Sequence, residues 1–98
     1  MTQIARRNAR ILALQALYEV DLSRHDAEVS LQTLVDESPE SGESAAYARV
    51  LVHGVLGERD RIDALIADAA TSWPIDQLSV VDRNILRLAI YEVVVNNQ

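Results

Sequence analysis

Three arginines near the start of the chain, Arg6, Arg7 and Arg10, have the type and spacing that best suit a binding chemistry. On a helix, residues three and four positions apart share a face, so the three guanidinium groups would lie together. Planar guanidinium groups suit phosphate, and a bound anion would relieve their mutual repulsion. A solvated basic first turn explains the same pattern, although the helix dipole disfavours cations at an N-terminus. The spacing alone leaves both interpretations open.

Tyr18 follows Arg10 by two helical turns and is the second candidate for a binding role. It could stack on a base or pack on a partner, but an aromatic side chain at helical spacing equally fits a core position. The segment from Gly54 to Gly57 matches the bare pattern of a nucleic-acid-binding GxxG loop. Its two middle residues are apolar, which favours helix packing or a bend instead.

Residues suited to catalysis or metal binding are not grouped in recognisable motifs. His25 and His53 have no third ligand at metal-binding spacing. The acids and arginines of segment 58–63 are typical of a solvated, salt-bridged helix face. No phosphate-binding loop, dinucleotide fingerprint or nucleophile elbow occurs. We therefore expect a protein that is not an enzyme and that holds neither a cofactor nor a metal.

The composition separates a basic start from an acidic body. The 98 residues include nine arginines, no lysine and fifteen acids, for a net charge of −6. Residues 1–10 hold three of the arginines and no acid, so the basic character is local. The acidic total argues against a protein that coats nucleic acid by bulk charge. The absence of cysteine excludes disulfides and thiolate zinc sites, and it is compatible with a reducing cytoplasm.

The N-terminal segment resembles a secretory signal only superficially. Its apolar run, residues 11–14, is interrupted by Gln15, and no small-residue cleavage site follows. No stretch of 18 uncharged apolar residues is present to span a membrane. We therefore expect the segment to stay in the mature protein as a helix, and we expect a cytoplasmic protein without a membrane partner.

The coarse pattern predicts an all-α chain, because helix-forming residues dominate and no strand-like alternation persists. A first helix is predicted from Ile4 to Leu22, with Asp26 as the cap of a second, short helix. The first helix has an apolar stripe marked by Ile4, Ile11, Leu14, Tyr18 and Leu22 and widened by Leu12, Leu17 and Val20. Pro, Gly and Ser are concentrated in segment 38–42, which predicts a loop.

Later in the chain, the pattern predicts a helix capped by Ser44 that runs to about Ala70, with a bend or split at its two glycines. The Trp-Pro pair at 73–74 should end this element. Ser79 then resembles the first residue of a capping box and opens a last helix. From Val80 to Val95 this helix is apolar on most sides, and only about three other helices are predicted to cover it. The pattern indicates missing sequence or a covering partner, or else a valine-rich end that frays.

Three segments together resemble the NusB family of bacterial transcription antitermination factors. The resemblance covers essentially the whole chain. The first segment, residues 5–18, contains ARRNAR and then LQALY. The second, residues 49–55, reads RVLVHGV. The third, residues 82–92, reads DRNILRLAIYE and follows Trp73 and Leu78.

The resemblance implies an all-α fold of two small helical bundles packed across each other. It implies binding of boxA-type RNA in ribosomal RNA leader transcripts together with NusE, a small-subunit ribosomal protein, and an indirect action on the RNA polymerase elongation complex. The family's RNA-binding arginines correspond to Arg6, Arg7 and Arg10. Its NusE-binding residues correspond to Tyr18 and Asp82.

The sequence departs from the family pattern at two places. Asn8 occupies a position where some relatives have another basic residue, so the basic patch has one charge fewer. The family continues after the Tyr-Glu pair of the last helix, which implies that residues 1–98 form a single NusB-like RNA-binding domain that lacks its last helices, with an incomplete second bundle.

Two other functions remain open at this point. A NusB-like helical domain also forms the N-terminal RNA-binding head of a ribosomal RNA cytosine methyltransferase. Alternatively, the chain is an acidic helical interaction module without an RNA role. Failure to bind any RNA, with NusE binding retained, would favour the interaction module.

Overall fold

A computed structural model describes residues 1–38, 42–69, 72 and 74–96. The α-helices are α1 (Gln3–Ser23), α2 (Ala27–Glu37), α3 (Gly42–Gly57), α4 (Arg59–Ala69) and α5 (Val80–Ile90). A 3₁₀ turn at Ile75–Gln77 precedes α5, and a π-helical turn at Tyr91–Val95 continues it. The described ranges contain no β-strand, and the prediction of an all-α fold is confirmed.

Two helix starts follow the capping signals in the sequence. Asp26 caps α2, where its Oδ1 accepts the backbone N–H groups of Glu28 at 2.8 Å and Val29 at 3.3 Å. Ser79 caps α5, where its Oγ accepts the N–H of Asp82 at 3.0 Å. Both caps satisfy N–H groups that the helix itself cannot bond, so the second and last predicted helices begin where expected.

The predicted cap at Ser44 is wrong. Helix α3 already includes Gly42, so Ser44 lies within its first turn. The Ser44 side chain is buried, and its hydroxyl donates a hydrogen bond to the carbonyl oxygen of Ala5 at 3.0 Å. The residue therefore joins α3 to α1 instead of capping a helix. Of the predicted loop, residues 39–41 lie outside the described residues, as does Trp73.

Helix α1 is central, since it packs against α2, α3 and α5. Its buried face consists mainly of alanine, which allows the neighbouring backbones to approach closely; the face comprises Ala9, Leu12, Ala13, Ala16 and Leu17. Of the apolar stripe predicted from the sequence, Leu12 and Leu17 are buried, whereas Ile4, Ile11, Tyr18 and Leu22 are exposed. The prediction is therefore right for these two leucines only, and small alanines complete the buried face of the helix.

The two glycines of the GxxG segment have structural roles. A Cβ atom on Gly54 would lie only 2.0 Å from Cζ of Tyr91, so glycine is needed for the tyrosine ring to reach α3. Helix α3 ends at Gly57 and α4 begins at Arg59, which is the predicted split. The interpretation as helix packing is confirmed, and the segment is not a nucleic-acid-binding loop.

Helix α5 runs antiparallel to α1 and leaves much of its apolar surface uncovered. Arg10, near the start of α1, pairs with Glu92 beyond the end of α5, whereas Asp21 near the end of α1 pairs with Arg83 in the first turn of α5. Helix α4 packs on the other side of α5 and also contacts α3. Several large apolar side chains of α5 and its π-helical continuation are exposed: Val81, Ile85, Leu86, Val93 and Val94.

Candidate nucleic-acid and partner-binding surfaces

The candidate arginines lie in the first two turns of α1. The helix begins there because Oγ1 of Thr2 accepts the backbone N–H of Ala5 at 3.0 Å. Arg6, Arg7 and Arg10 are all exposed, as the sequence predicts. The positive end of the helix dipole lies in the same turns and adds to the positive potential of the arginines. This part of the surface therefore favours an anionic ligand.

Arg10 is held by a carboxylate from the other end of the chain. Its Nε donates to Oε1 of Glu92 at 2.8 Å and its Nη2 to Oε2 at 2.9 Å. The hydrogen bonds to Glu92 raise the pKa of Arg10 above its ordinary value. The hydroxyl of Tyr47 donates to Oε2 of the same carboxylate at 3.1 Å. Burial, and next the hydrogen bond to Glu92, raise the pKa of Tyr47 above its ordinary value.

Arg6 and Arg7 differ in their surroundings. The guanidinium carbon of Arg6 lies 5.8 Å from the centre of the Tyr47 ring, within the range of a cation–π contact. Arg7 makes no ion pair with any residue that the structure describes. The three arginines are therefore not three equivalent free cations. Arg6 and Arg10 interact with the chain's own side chains, and the spacing of the arginines predicts neither interaction.

An apolar groove runs between α1 and α5 beside the arginines. Its volume is about 430 Å³. Arg7, Arg10 and Glu92 lie at one end of the groove, and its walls are mainly aliphatic. Those wall residues are Ile11, Leu14, Ile85, Leu88, Ala89 and Val93. The charged surface at the start of α1 therefore continues into the uncovered apolar surface of α5.

Tyr18 lies at a second hollow, near the far end of α1. This hollow has a volume of about 400 Å³, and Leu14, Leu34 and Val81 contribute to its lining. The Tyr18 side chain is 37% exposed, so the tyrosine is not a core residue. Asp82 follows Val81 directly and is exposed in the first turn of α5. Tyr18 and Val81 line the same hollow, and Asp82 is the next residue after Val81 in the chain.

A polar network centred on the buried Arg87 lies between α1 and α5, and the sequence pattern does not reveal it. Asp21 of α1 accepts hydrogen bonds at 3.0 Å from Nε of Arg83 and Nδ2 of Asn84. Arg87 reaches the same carboxylate with Nη1 at 3.2 Å. Its Nε and Nη2 donate to the two oxygens of Asp63 in α4, at 2.8 and 2.9 Å. One cluster of side chains therefore ties α1, α4 and α5 together.

The charges in this network compensate one another. Arg87 is 8% exposed and lies between the carboxylates of Asp21 and Asp63. Burial works to raise the pKa of Asp21, but the hydrogen bonds and charges of its partners outweigh burial and lower it. The i, i+4 spacing of Arg83 and Arg87 shows that they share a helix face, but only the fold reveals which acids they meet.

Other site types find no support in the part of the chain that the structure describes. No three histidine or acidic side chains there are grouped in a way that could hold a metal ion. Across the same residues, none of the helices combines the length and the apolar character that a membrane span requires.

The described helices define a class: a small all-α protein with exposed arginines at one end of α1 and an apolar hollow beside Tyr18 near the other. The sequence model of the NusB family matches residues 7–98. This chain belongs to the NusB family.

Relatives named transcription antitermination protein NusB match nearly the whole chain. The protein of Dehalococcoides mccartyi strain 195 is 44% identical over 95% of this chain, and that of Chloroflexus aggregans is 38% identical over 93%. The match covers 65% of the first relative and 61% of the second. The chain therefore spans less than two thirds of the length of these relatives.

Solved structures share the fold. A crystal structure of the antitermination factors NusB and NusE in complex with double-stranded RNA matches with a TM-score of 0.87 and 28% identity, over 99% of this chain and 72% of that one. A structure of NusB from T. maritima matches with a TM-score of 0.85 and 33% identity, over 100% of this chain and 68% of that one. The predicted NusB-like fold is confirmed.

Proposed function

We propose that this chain is a cytoplasmic transcription antitermination factor that binds boxA-type single-stranded RNA of ribosomal RNA leader transcripts together with NusE. It acts as a binding protein and not as an enzyme, and it reaches the RNA polymerase elongation complex indirectly. Membership of the NusB family supports this function, as do the relatives named antitermination protein. A structural neighbour of the same fold is itself a complex with NusE and RNA.

The observation that carries the RNA-binding part of the proposal is the exposed group of Arg6, Arg7 and Arg10 in the first two turns of α1. These arginines position the RNA through its phosphates, while contacts to unstacked bases supply sequence preference. Three phosphate contacts on a single strand correspond to a slope of only about −2 in log K against log salt. Such a weak electrostatic contribution explains why a second protein would be needed for firm binding.

The second surface is proposed to bind NusE. Tyr18 presents an aromatic ring beside an apolar hollow, and Asp82, which is exposed, adds a negative charge next to Val81 of the hollow's lining. Aromatic side chains at the centre of a contact supply much of its affinity, whereas a charge at the rim guides association. RNA and protein would therefore bind at opposite ends of α1.

The RNA arm of the test uses Arg7→Glu, because Arg7 makes no described ion pair whose loss would disturb the fold. Titrations with a boxA oligonucleotide and NusE, repeated at several salt concentrations, should show weaker binding and a salt slope reduced by about one. Arg59→Glu is the matched control, since it makes the same charge change in the first turn of α4. Equal affinity of Arg7→Glu and wild type at every salt concentration would refute the RNA surface.

The protein arm of the test uses Asp82→Lys and Tyr18→Ala in a NusE binding titration without RNA. Both substitutions should weaken NusE binding. Asp60→Lys is the matched control for Asp82→Lys, because each acid lies in the first turn of its helix and each change loses the same dipole interaction. Wild-type affinity of both test variants would exclude this surface. Retained NusE binding without any binding of RNA would support the interaction module instead.

A further inference from the structure

A carboxylate in the middle of a basic surface requires an explanation. Four side chains form a continuous polar chain from Arg6 to Tyr47, from Tyr47 to Glu92, and from Glu92 to Arg10. They come from α1, from α3 and from the π-helical turn after α5. Judged by charge alone, Glu92 weakens the surface for an anionic ligand, because it neutralises one of the three cations.

The geometry of the pair indicates another role. A guanidinium group has five N–H donors, and Glu92 takes one from Nε and one from Nη2 of Arg10. The second N–H of Nη2 and one N–H of Nη1 form the other two-donor edge of the planar group. The Arg10 side chain is 45% exposed, although Glu92 is only 15% exposed. The arginine therefore keeps a planar pair of donors of the kind that binds phosphate bidentately.

Glu92 is itself held in place. The Tyr47 hydroxyl bonds to the same carboxylate oxygen that accepts from Nη2 of Arg10. Tyr47 is packed partly against the core, so it gives the carboxylate a rigid support. A free arginine side chain loses much rotational freedom when it binds a ligand, and a side chain already held in one orientation loses less.

We propose that Glu92, supported by Tyr47, is a positioning residue that holds Arg10 with its outer edge ready for an RNA phosphate. This inference rests on the proposed RNA-binding function and adds to it a requirement for a negative charge inside the basic surface. Simple electrostatics predicts that removal of the negative charge would strengthen RNA binding. This inference predicts the opposite, that its removal weakens RNA binding.

The test is Glu92→Gln, measured by RNA titration in the presence of NusE. We expect RNA affinity to fall by about tenfold, the scale of one charge-assisted hydrogen bond. Tyr47→Phe keeps the ring beneath Arg6 and removes only the hydroxyl, so it should give a smaller loss in the same direction. Glu58→Gln is the matched control, since Glu58 pairs with Arg61 in an exposed contact at 3.7 Å.

A double-variant cycle separates positioning from a general effect on the fold. In an Arg10→Ala background, Glu92→Gln should cause no further loss of RNA affinity, because Glu92 acts only through Arg10. Unchanged or tighter binding by both Glu92→Gln and Tyr47→Phe would overturn the inference. The inference would also be overturned if Glu92→Gln reduced RNA affinity as much in the Arg10→Ala background as it does in the wild type. In these cases, weaker binding by Arg7→Glu would leave the proposed function intact.

Discussion

Gly54→Ala is expected to destabilise the protein, although alanine is the better helix former. The new Cβ atom would lie 2.0 Å from Cζ and 2.2 Å from Oη of Tyr91, whereas ordinary contacts lie at 3.4–4 Å. The ring would have to move by more than 1 Å, and it is 8% exposed in a packed interior. The same change at Gly57 meets nothing within 4 Å and is the matched control.

The magnitude follows from two opposing effects. Overpacking a well-filled core lowers the free energy of unfolding by about 1–3 kcal/mol. Replacing glycine by alanine within a helix raises it by up to about 1 kcal/mol, and Gly57→Ala receives only this gain. The two variants should therefore differ by about 1–3 kcal/mol. For a chain of this length, each 1 kcal/mol shifts Tm by about 4–8 °C, so Gly54→Ala should melt at least several degrees below Gly57→Ala.

Thermal unfolding followed by far-ultraviolet circular dichroism measures the difference. Adding Tyr91→Leu removes the ring, so the double variant should be more stable than the sum of the two single changes predicts, by about 1 kcal/mol or more. If Gly54→Ala and Gly57→Ala melt at the same temperature, the close contact between Tyr91 and α3 does not exist in solution.

Two further predictions concern the buried network. Arg87→Ala leaves the carboxylates of Asp21 and Asp63 without their shared partner, so it should lower the free energy of unfolding, measured in urea, by about 3 kcal/mol. Arg61→Ala removes only an exposed ion pair and should lower the free energy of unfolding by less than about 1 kcal/mol. Similar losses from the two variants would contradict a structural role for the network. The pKa of Asp21 is lower in the folded protein than in the unfolded chain, where it is about 4. The ionised carboxylate therefore stabilises the fold above about pH 4, and this contribution is lost as the pH falls through the folded-state pKa. Asp21→Asn should therefore lower the free energy of unfolding at neutral pH. The free energy of unfolding of this variant should also fall less between pH 6 and pH 2 than that of the wild type, and the same pH dependence in both proteins would refute the prediction.

Local signals in the sequence predicted the helices well because capping acts over three residues. Asp26 and Ser79 each bond to N–H groups of their own first turn, so neighbouring residues suffice to place the helix start. Ser44 shows the limit of this reasoning. Its hydroxyl bonds to Ala5, 39 positions away, and nothing adjacent to it reveals that a tertiary contact competes with capping.

The candidate site was only partly predictable for the same reason. Helical spacing was sufficient to group the arginines at the start of α1. It could not reveal Glu92, which is 82 positions from Arg10 in the chain. The burial of α1 was also only partly predictable: Leu12 and Leu17 are buried as expected, but small alanines, and not the larger Ile11 and Tyr18, complete the buried face.

Helices α1 and α5 are joined by ion pairs at both ends, Arg10 with Glu92 and Asp21 with Arg83. Two such ion pairs, one at each end, favour a single relative position of the two helices. Arg10 and Tyr18 are eight residues apart on α1, a rise of about 12 Å. A nucleic acid at one end and a protein at the other would therefore meet at a constant separation. Any cooperativity between the two ligands would then arise from direct contact between the ligands, and not from a conformational change of this chain.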